Sequence, residues 1–308
     1  MKRVLTTVIA ATALLLAGCA NDDAGAGRPA PSASDRASYP VTVGSVTMEK
    51  RPERIVSLSP SATEMLFAID AGPQVVAVDD QSTFPANAPR TDLSGFKPNA
   101  EAIAAKNPDL VVLSNDLNKI VDQLTKLKIP VFQAPAANGL DDTYNEVGQL
   151  GTLTGHQTEA SALTDRMRAD IDKIVKSVPP RATPLTYYYE LDPTFYSVTS
   201  KTFIGSIFSL FGMANVADAA DPNGAKGGYP QLSQEVLLKG DPDMIFLADS
   251  KCCQQSAASV KARKGWSGIT AVKTGQIVAL DDDIASRWGP RVVDLVQSVA
   301  DAVVKVPA

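Results

Sequence analysis

Glu101-Ala-Ile-Ala-Ala-Lys-Asn-Pro-Asp-Leu-Val-Val-Leu113 returns 134 residues later as Glu235-Val-Leu-Leu-Lys-Gly-Asp-Pro-Asp-Met-Ile-Phe-Leu247. Each copy reads as a helix start, a helix, a Pro-Asp turn and a short apolar strand. Helix–turn–strand units are common in α/β chains, which explains half of the match. It does not explain an acid at the same step in both copies. Glu101 and Glu235 each stand in a first helical turn, where the helix dipole favours negative charge, so helix capping is their local explanation. The repeat as a whole predicts two related lobes.

The surrounding sequence agrees. Short β-branched runs bounded by turn residues occur at Arg54-Ile-Val-Ser-Leu-Ser, Val75-Val-Ala-Val and Pro130-Val-Phe, and again at Leu185-Thr-Tyr-Tyr-Tyr and Ile277-Val-Ala-Leu. Helix-period stretches such as Ala62–Ile69 and Ile120–Leu127 alternate with them. Near-continuous apolar strands alternating with helices predict parallel, helix-covered α/β sheets, one in each lobe. Between the two sets, residues 142–178 carry neither proline nor a strand signal. Leu150, Leu153, Leu163, Met167, Ile171 and Ile174 recur there at mostly helical steps, and Pro179-Pro180 ends the run. It reads as one long helix joining the lobes, with Gly148, Gly151 and Gly155 as the points where it could bend or break. The expected organisation is a lobe at 40–141, the joining helix at 142–178 and a second lobe at 179–308.

The N-terminus sets the compartment. Lys2 and Arg3 precede an apolar run from Val4 to Ala17, too short to cross a bilayer core as a stable anchor and suited to a secretory signal. It ends at Leu16-Ala17-Gly18-Cys19, which resembles a bacterial lipobox. Residues 1–18 are therefore expected to be removed, and Cys19 to carry lipid at the extracytoplasmic face of the membrane. Residues 19–39, rich in Ala, Gly, Pro, Ser and Asp, form the expected flexible tether. Net charge is −5 at pH 7, so the chain is a poor candidate for nucleic-acid binding. Besides Cys19 only Cys252 and Cys253 remain. As neighbours they could form a vicinal disulfide or stand as two thiols, and the sequence leaves this open.

Enzyme signatures are missing. The single histidine, His156, sits in the joining segment, and no nucleophile elbow, Cys–His pair or phosphate-binding glycine loop appears. One histidine with only two cysteines besides Cys19 also argues against a His-rich zinc or manganese receptor. No catalytic role and no cofactor or resident metal are expected. A cleft between the strand C-termini of two lobes is the expected ligand site. Residues following the strands supply its candidates: Gln81, Phe96 and Lys97 from lobe one, and Tyr189, Tyr196, Tyr229, Arg287, Trp288 and Arg291 from lobe two. Arginines can engage carboxylate or catecholate oxygens while aromatic rings cover flat apolar ligand surface. By strand alternation Tyr187 and Tyr189 share a face and Tyr188 points the other way.

From about Arg51 to Val304 the chain resembles the substrate-binding proteins of ABC importers for ferric siderophores, haem and cobalamin. The resemblance rests on Arg54-Ile-Val-Ser-Leu-Ser-Pro-Ser-Ala-Thr-Glu, Asn99-Ala-Glu-Ala-Ile with Lys106-Asn-Pro-Asp-Leu-Val, and Thr202-Phe-Ile-Gly through Gly212-Met-Ala-Asn-Val-Ala. Leu232-Ser-Gln-Glu and Trp288-Gly-Pro-Arg extend it. It implies the class III periplasmic-binding-protein fold: two Rossmann-like lobes with parallel sheets joined by a single long helix. It also implies a monomeric receptor that docks on a permease dimer through one glutamate per lobe, here Glu101 and Glu235. Glu64 is the weaker docking candidate. A ferric siderophore is the first ligand expected and haem the second. The alternatives are a cobalamin receptor, or a sensor or scaffold lipoprotein without an importer. Many relatives have Arg-Pro-Gly-Pro-Arg where this chain has Arg287-Trp-Gly-Pro-Arg291. Cobalamin-type relatives carry several cleft tryptophans, whereas here Tyr229 is the aromatic at such a position.

Overall fold

The computed structural model describes residues 38–307, so the expected signal, Cys19 and most of the tether lie outside the described residues. A small antiparallel hairpin comes first, β1 (Val41–Val43) with β2 (Val46–Met48). Lobe one follows as β3 (Ile55–Leu58), α1 (Pro60–Ala68), β4 (Val75–Val78), α2 (Ala100–Ala104), β5 (Leu110–Leu113), α3 (Ile120–Lys126) and β6 (Val131–Gln133). Its four strands form one parallel sheet in the order β4-β3-β5-β6. The helices α4 (Leu140–Thr154) and α5 (Gln157–Ser177) come next.

Lobe two contains β7 (Thr186–Glu190), α6 (Phe203–Ser209), β8 (Ala214–Asn215), α7 (Gln234–Gly240) and β9 (Met244–Leu247). It continues through α8 (Ser250–Cys253), α9 (Ala257–Lys261), α10 (Thr270–Thr274), β10 (Ile277–Ala279), α11 (Asp282–Ala285) and α12 (Val292–Val304). The second parallel sheet, read as β8-β7-β9-β10, repeats the order of the first.

The Pro-Asp turn of the internal repeat has a structural task. Asp109 accepts from the backbone N–H groups of Glu53 and Arg54, each at 2.9 Å, just before β3. Asp243 accepts from the N–H of Thr186 at 2.8 Å and from its hydroxyl at 2.9 Å, at the start of β7. Each aspartate precedes one central strand and satisfies the backbone donors of its parallel neighbour, where no strand partner is available. The preceding helices are capped alike: the Asn99 side chain accepts from the Ala102 N–H and the Ser233 hydroxyl from the Val236 N–H. Glu101 and Glu235 are exposed in the first turns of α2 and α7.

The expected single helix over 142–178 is two helices. Gly155 caps α4 in the left-handed conformation (φ 76°), which costs a glycine little, and the chain reverses. A Cβ on Gly151 would come within 2.5 Å of the Ala160 Cβ, so its missing side chain permits the close approach of α5. The Arg168 guanidinium lies 3.9 Å from the Tyr144 ring centroid and bonds Asp141 at 3.1 Å, which sets α5 antiparallel to α4. Helix α5 alone, 21 residues, joins the lobes and packs against α12 of lobe two. The periodicity spanned the break because both helices bury one apolar face on the same core.

That core is continuous. One cluster of buried side chains extends from Val46 through Leu150, Met167, Tyr189 and Phe246 to Val303, and separate clusters cover the outer face of each sheet. Tyr187 stacks on Phe208 at 4.3 Å within the shared core, while Tyr188 packs edge-on against Trp266 at 6.3 Å under the outer face. The alternation read from the sequence is observed, and all three tyrosines are fully buried.

Candidate functional site

The strand C-termini of lobe two open into loops that meet lobe one. The loop around α11 carries Arg287, Trp288 and Arg291 against α1 and α4. Glu64, on α1 and only 3% exposed, is the carboxylate that both arginines share. Arg291 donates through Nε to Oε2 at 2.9 Å and through Nη2 to Oε1 at 2.6 Å, and Arg287 donates through Nη1 to Oε1 at 3.0 Å. Arg287 Nη2 reaches the Gln81 carbonyl (2.9 Å), the Thr83 hydroxyl (3.3 Å) and Asp283 (3.0 Å). Arg291 also covers the Phe84 ring at 4.3 Å. Gly289 fits because a Cβ there would stand 3.2 Å from Glu64 Oε2.

Trp288 is anchored at three points. Its indole N–H donates to Glu146 Oε2 at 3.0 Å, its carbonyl accepts from Thr143 at 3.0 Å, and its N–H donates to the Ser61 hydroxyl at 3.2 Å. Burial pushes the Glu146 carboxyl up to about 7, the indole bond opposing that shift. Arg287, Trp288 and Arg291 thus form an interlobe anchor, with most of their polar groups engaged by the protein.

Two of the expected lobe-two aromatics come together at the rim. The segments around Tyr196 and Tyr229 run antiparallel, with Tyr196 bridged to Gln231, Ser197 N–H donating to the Pro230 carbonyl at 3.0 Å and Thr199 N–H to that of Gly228 at 2.8 Å. Tyr196 is 41% and Tyr229 46% exposed. On lobe one Phe96 is 71% exposed, its neighbour Lys97 is exposed, as is Gln81, and Phe84 is 43% exposed. Tyr189 is a correction to the sequence expectation. It is fully buried and its hydroxyl donates to the Ala285 carbonyl at 3.0 Å, so it supports the α11 loop from below instead of facing a ligand. As a core-facing position of a strand covered on both sides, it had no route to the cleft.

Sequence reasoning ranked Glu64 low and missed Glu146, Phe84 and a second buried charge group. Glu190, at the end of β7, takes Arg263 in a bidentate pair at 2.5 Å for each bond, and Arg263 also reaches Gln255 at 2.7 Å while lying 4.6 Å from the Trp266 ring. Asp249, after β9, is fully buried with both carboxylate oxygens unpartnered. Burial, then the neighbouring Glu190 charge, pushes its carboxyl up to about 7. Cys252 and Cys253, left open by the sequence, are joined as a disulfide in α8. Among the described residues no group of three or more His, Cys, Asp or Glu is arranged to hold a metal ion.

Two parallel-sheet lobes, one joining helix and a rim of loops at the strand ends define the class III periplasmic-binding-protein architecture. The chain belongs to the periplasmic binding protein family, whose model matches residues 55–284. It is similar to a cobalamin-binding protein of Halobacterium salinarum, at 34% identity over 97% of this chain and 84% of that one. It is similar also to an uncharacterized ABC transporter substrate-binding lipoprotein of Bacillus subtilis, at 28% identity over 94% and 93% of the two chains. A solved structure of a possible iron-binding (periplasmic solute-binding) protein from Staphylococcus epidermidis aligns at TM-score 0.72 and 26% identity, covering 83% of this chain and 100% of that one. The family consists of extracytoplasmic binding proteins that act with ABC permeases and take up cobalamin, haem or iron chelates.

Proposed function

We propose that this protein is a lipid-anchored corrinoid receptor of an ABC importer, tethered through Cys19 and acting as a monomer. The observation that carries the ligand choice is the pairing of Arg287 and Arg291 with Glu64, with Asp283, Gln81 and Thr83 taking Arg287 Nη2. An anionic ferric siderophore, the first expectation from sequence, would need guanidinium groups that are already paired. What the rim offers is exposed aromatic surface at Phe84, Phe96, Tyr196 and Tyr229, with Gln81 and Lys97 as polar neighbours, and this suits a large flat ligand of low charge. The 34% identity to a cobalamin-binding protein across nearly the whole chain supports the same reading. Haem is the second reading, favoured by the exposed phenols of Tyr196 and Tyr229, either of which could approach a ferric iron.

Glu101 and Glu235 are the proposed docking residues, one on each lobe, exposed at equivalent helix starts. Each exposed pair with a permease cation would contribute roughly 1 kcal/mol or less, and the two together act through avidity. Calorimetric titration of the mature protein with cyanocobalamin, haemin and a ferric siderophore tests the ligand. Micromolar or tighter binding of cyanocobalamin alone is the expected result. Saturable binding of a siderophore with no response to cyanocobalamin would overturn the proposal.

A further inference from the structure

We propose that Cys252–Cys253 is a thiol–disulfide exchange site at the cleft rim whose reduction loosens the interlobe anchor and lowers ligand affinity. The inference rests on the cleft reading above, but not on the ligand being a corrinoid.

The position of the pair carries the argument. Helix α8 begins three residues after the end of β9, at the strand end from which the lobe-two loops also reach lobe one. Cys252 is exposed and Cys253 half-buried, so one sulfur is open to an attacking thiolate. Adjacent cysteines close a small ring that contains their own peptide bond, so the bond restrains the local backbone directly. That backbone is held from both sides. Asp282, on α11, accepts from the N–H groups of Ser250 (3.0 Å), Lys251 (2.8 Å) and Cys252 (3.0 Å), and from the Ser250 hydroxyl at 2.7 Å. On the buried side the Cys253 N–H donates to the Asp249 carbonyl at 3.2 Å, and its carbonyl accepts from Gln255, which holds Arg263. The residue after Asp282 completes the link: Asp283 bonds Arg287, which bonds Glu64 across the lobes. One carboxylate therefore ties the cysteine backbone to the helix that orients the anchor.

The exchange is balanced with an external dithiol. One thiolate of the reductant attacks Cys252 Sγ, the Sγ–Sγ bond breaks, and Cys253 leaves as a thiolate that takes up a proton. The second thiol of the reductant resolves the mixed disulfide and releases Cys252. Two electrons and two protons pass to the protein and the dithiol becomes a disulfide. An oxidising compartment restores the bond.

The test uses the mature protein, first as isolated and then after dithiothreitol treatment without denaturant and removal of the reductant under nitrogen. The expected results are no free thiol before treatment and two after it. Hydrogen exchange at the amides of Lys251 and Cys252 should quicken after reduction, and the Kd for cyanocobalamin should rise by roughly fivefold or more. The double variant Cys252→Ser/Cys253→Ser should behave as the reduced protein in both oxidising and reducing buffer. Two free thiols that persist under oxidant, or a bond that resists reduction in the folded state, would each overturn the proposal. So would unchanged exchange and affinity after reduction. If cyanocobalamin binds in neither state, the ligand reading fails, while the exchange measurement still decides the redox one.

Discussion

Arg287 of lobe two donates to Glu64 of lobe one at 3.0 Å, although 223 residues separate them, and Arg291 grips the same carboxylate through two further bonds. Two cations and one buried anion, with Asp283 as the second acid, close the floor between the lobes. Removing Glu64 would leave two guanidinium groups in a water-poor site without their main partner. Glu64→Ala should destabilise the fold by about 3–5 kcal/mol, the usual result of breaking a buried ion pair from one side. Chemical denaturation checks this, and Glu64→Gln should recover only part of the loss.

Arg287→Ala should weaken the binding of anionic and neutral ligands by the same factor, since both of its terminal nitrogens are spent on protein acceptors. Paired titrations with a carboxylated and an uncharged corrinoid read this directly. A selective loss for the anionic ligand would return Arg287 to the charge-reading role expected from the sequence.

Glu146 links stability to pH. Its folded-state carboxyl lies at about 7 against an ordinary 4.5, so folding favours the protonated form. The stability it contributes is fully present below pH 4.5 and is lost as pH rises through 7. Glu146→Gln keeps an acceptor for the Trp288 indole and removes the titration. It should gain roughly 2 kcal/mol relative to the parent at pH 8, and nothing at pH 4. Melting curves across that range check the sign.

Asp249 follows the same direction for a different reason. Two buried carboxylates, Asp249 and Glu190, face the single guanidinium of Arg263, and Glu190 engages it on both oxygens. The pair should therefore retain a proton near neutrality. An infrared carboxylic-acid band that persists at pH 6, fades above pH 8 and is absent from Asp249→Asn is the expected signature.

The double variant Glu101→Ala/Glu235→Ala should abolish uptake while leaving ligand affinity intact, because both side chains are exposed at helix starts. Transport assays beside calorimetry check both halves, and normal uptake would remove the docking assignment.

Some of this organisation was determined by local sequence. The repeat of helix, Pro-Asp turn and apolar strand predicted two related parallel sheets, because strand burial and turn chemistry are written in neighbouring residues. Alternation likewise told Tyr187 and Tyr189 from Tyr188. The break at Gly155 could not be read with the same certainty, since two antiparallel helices on one core preserve a continuous apolar period. Only the tertiary structure decided what the charged and aromatic residues do. Tyr189, near the end of β7, and Tyr229, in a lobe-two loop, are the same residue type, yet one is packed beneath α11 and the other stands at the rim. Glu64 reads as an ordinary helix acid until the loop bearing Arg287 and Arg291 arrives from the other lobe. Partners brought together by folding across more than 200 residues leave no local spacing to detect, and it is burial with pairing that separates an anchor from a free ligand-binding charge.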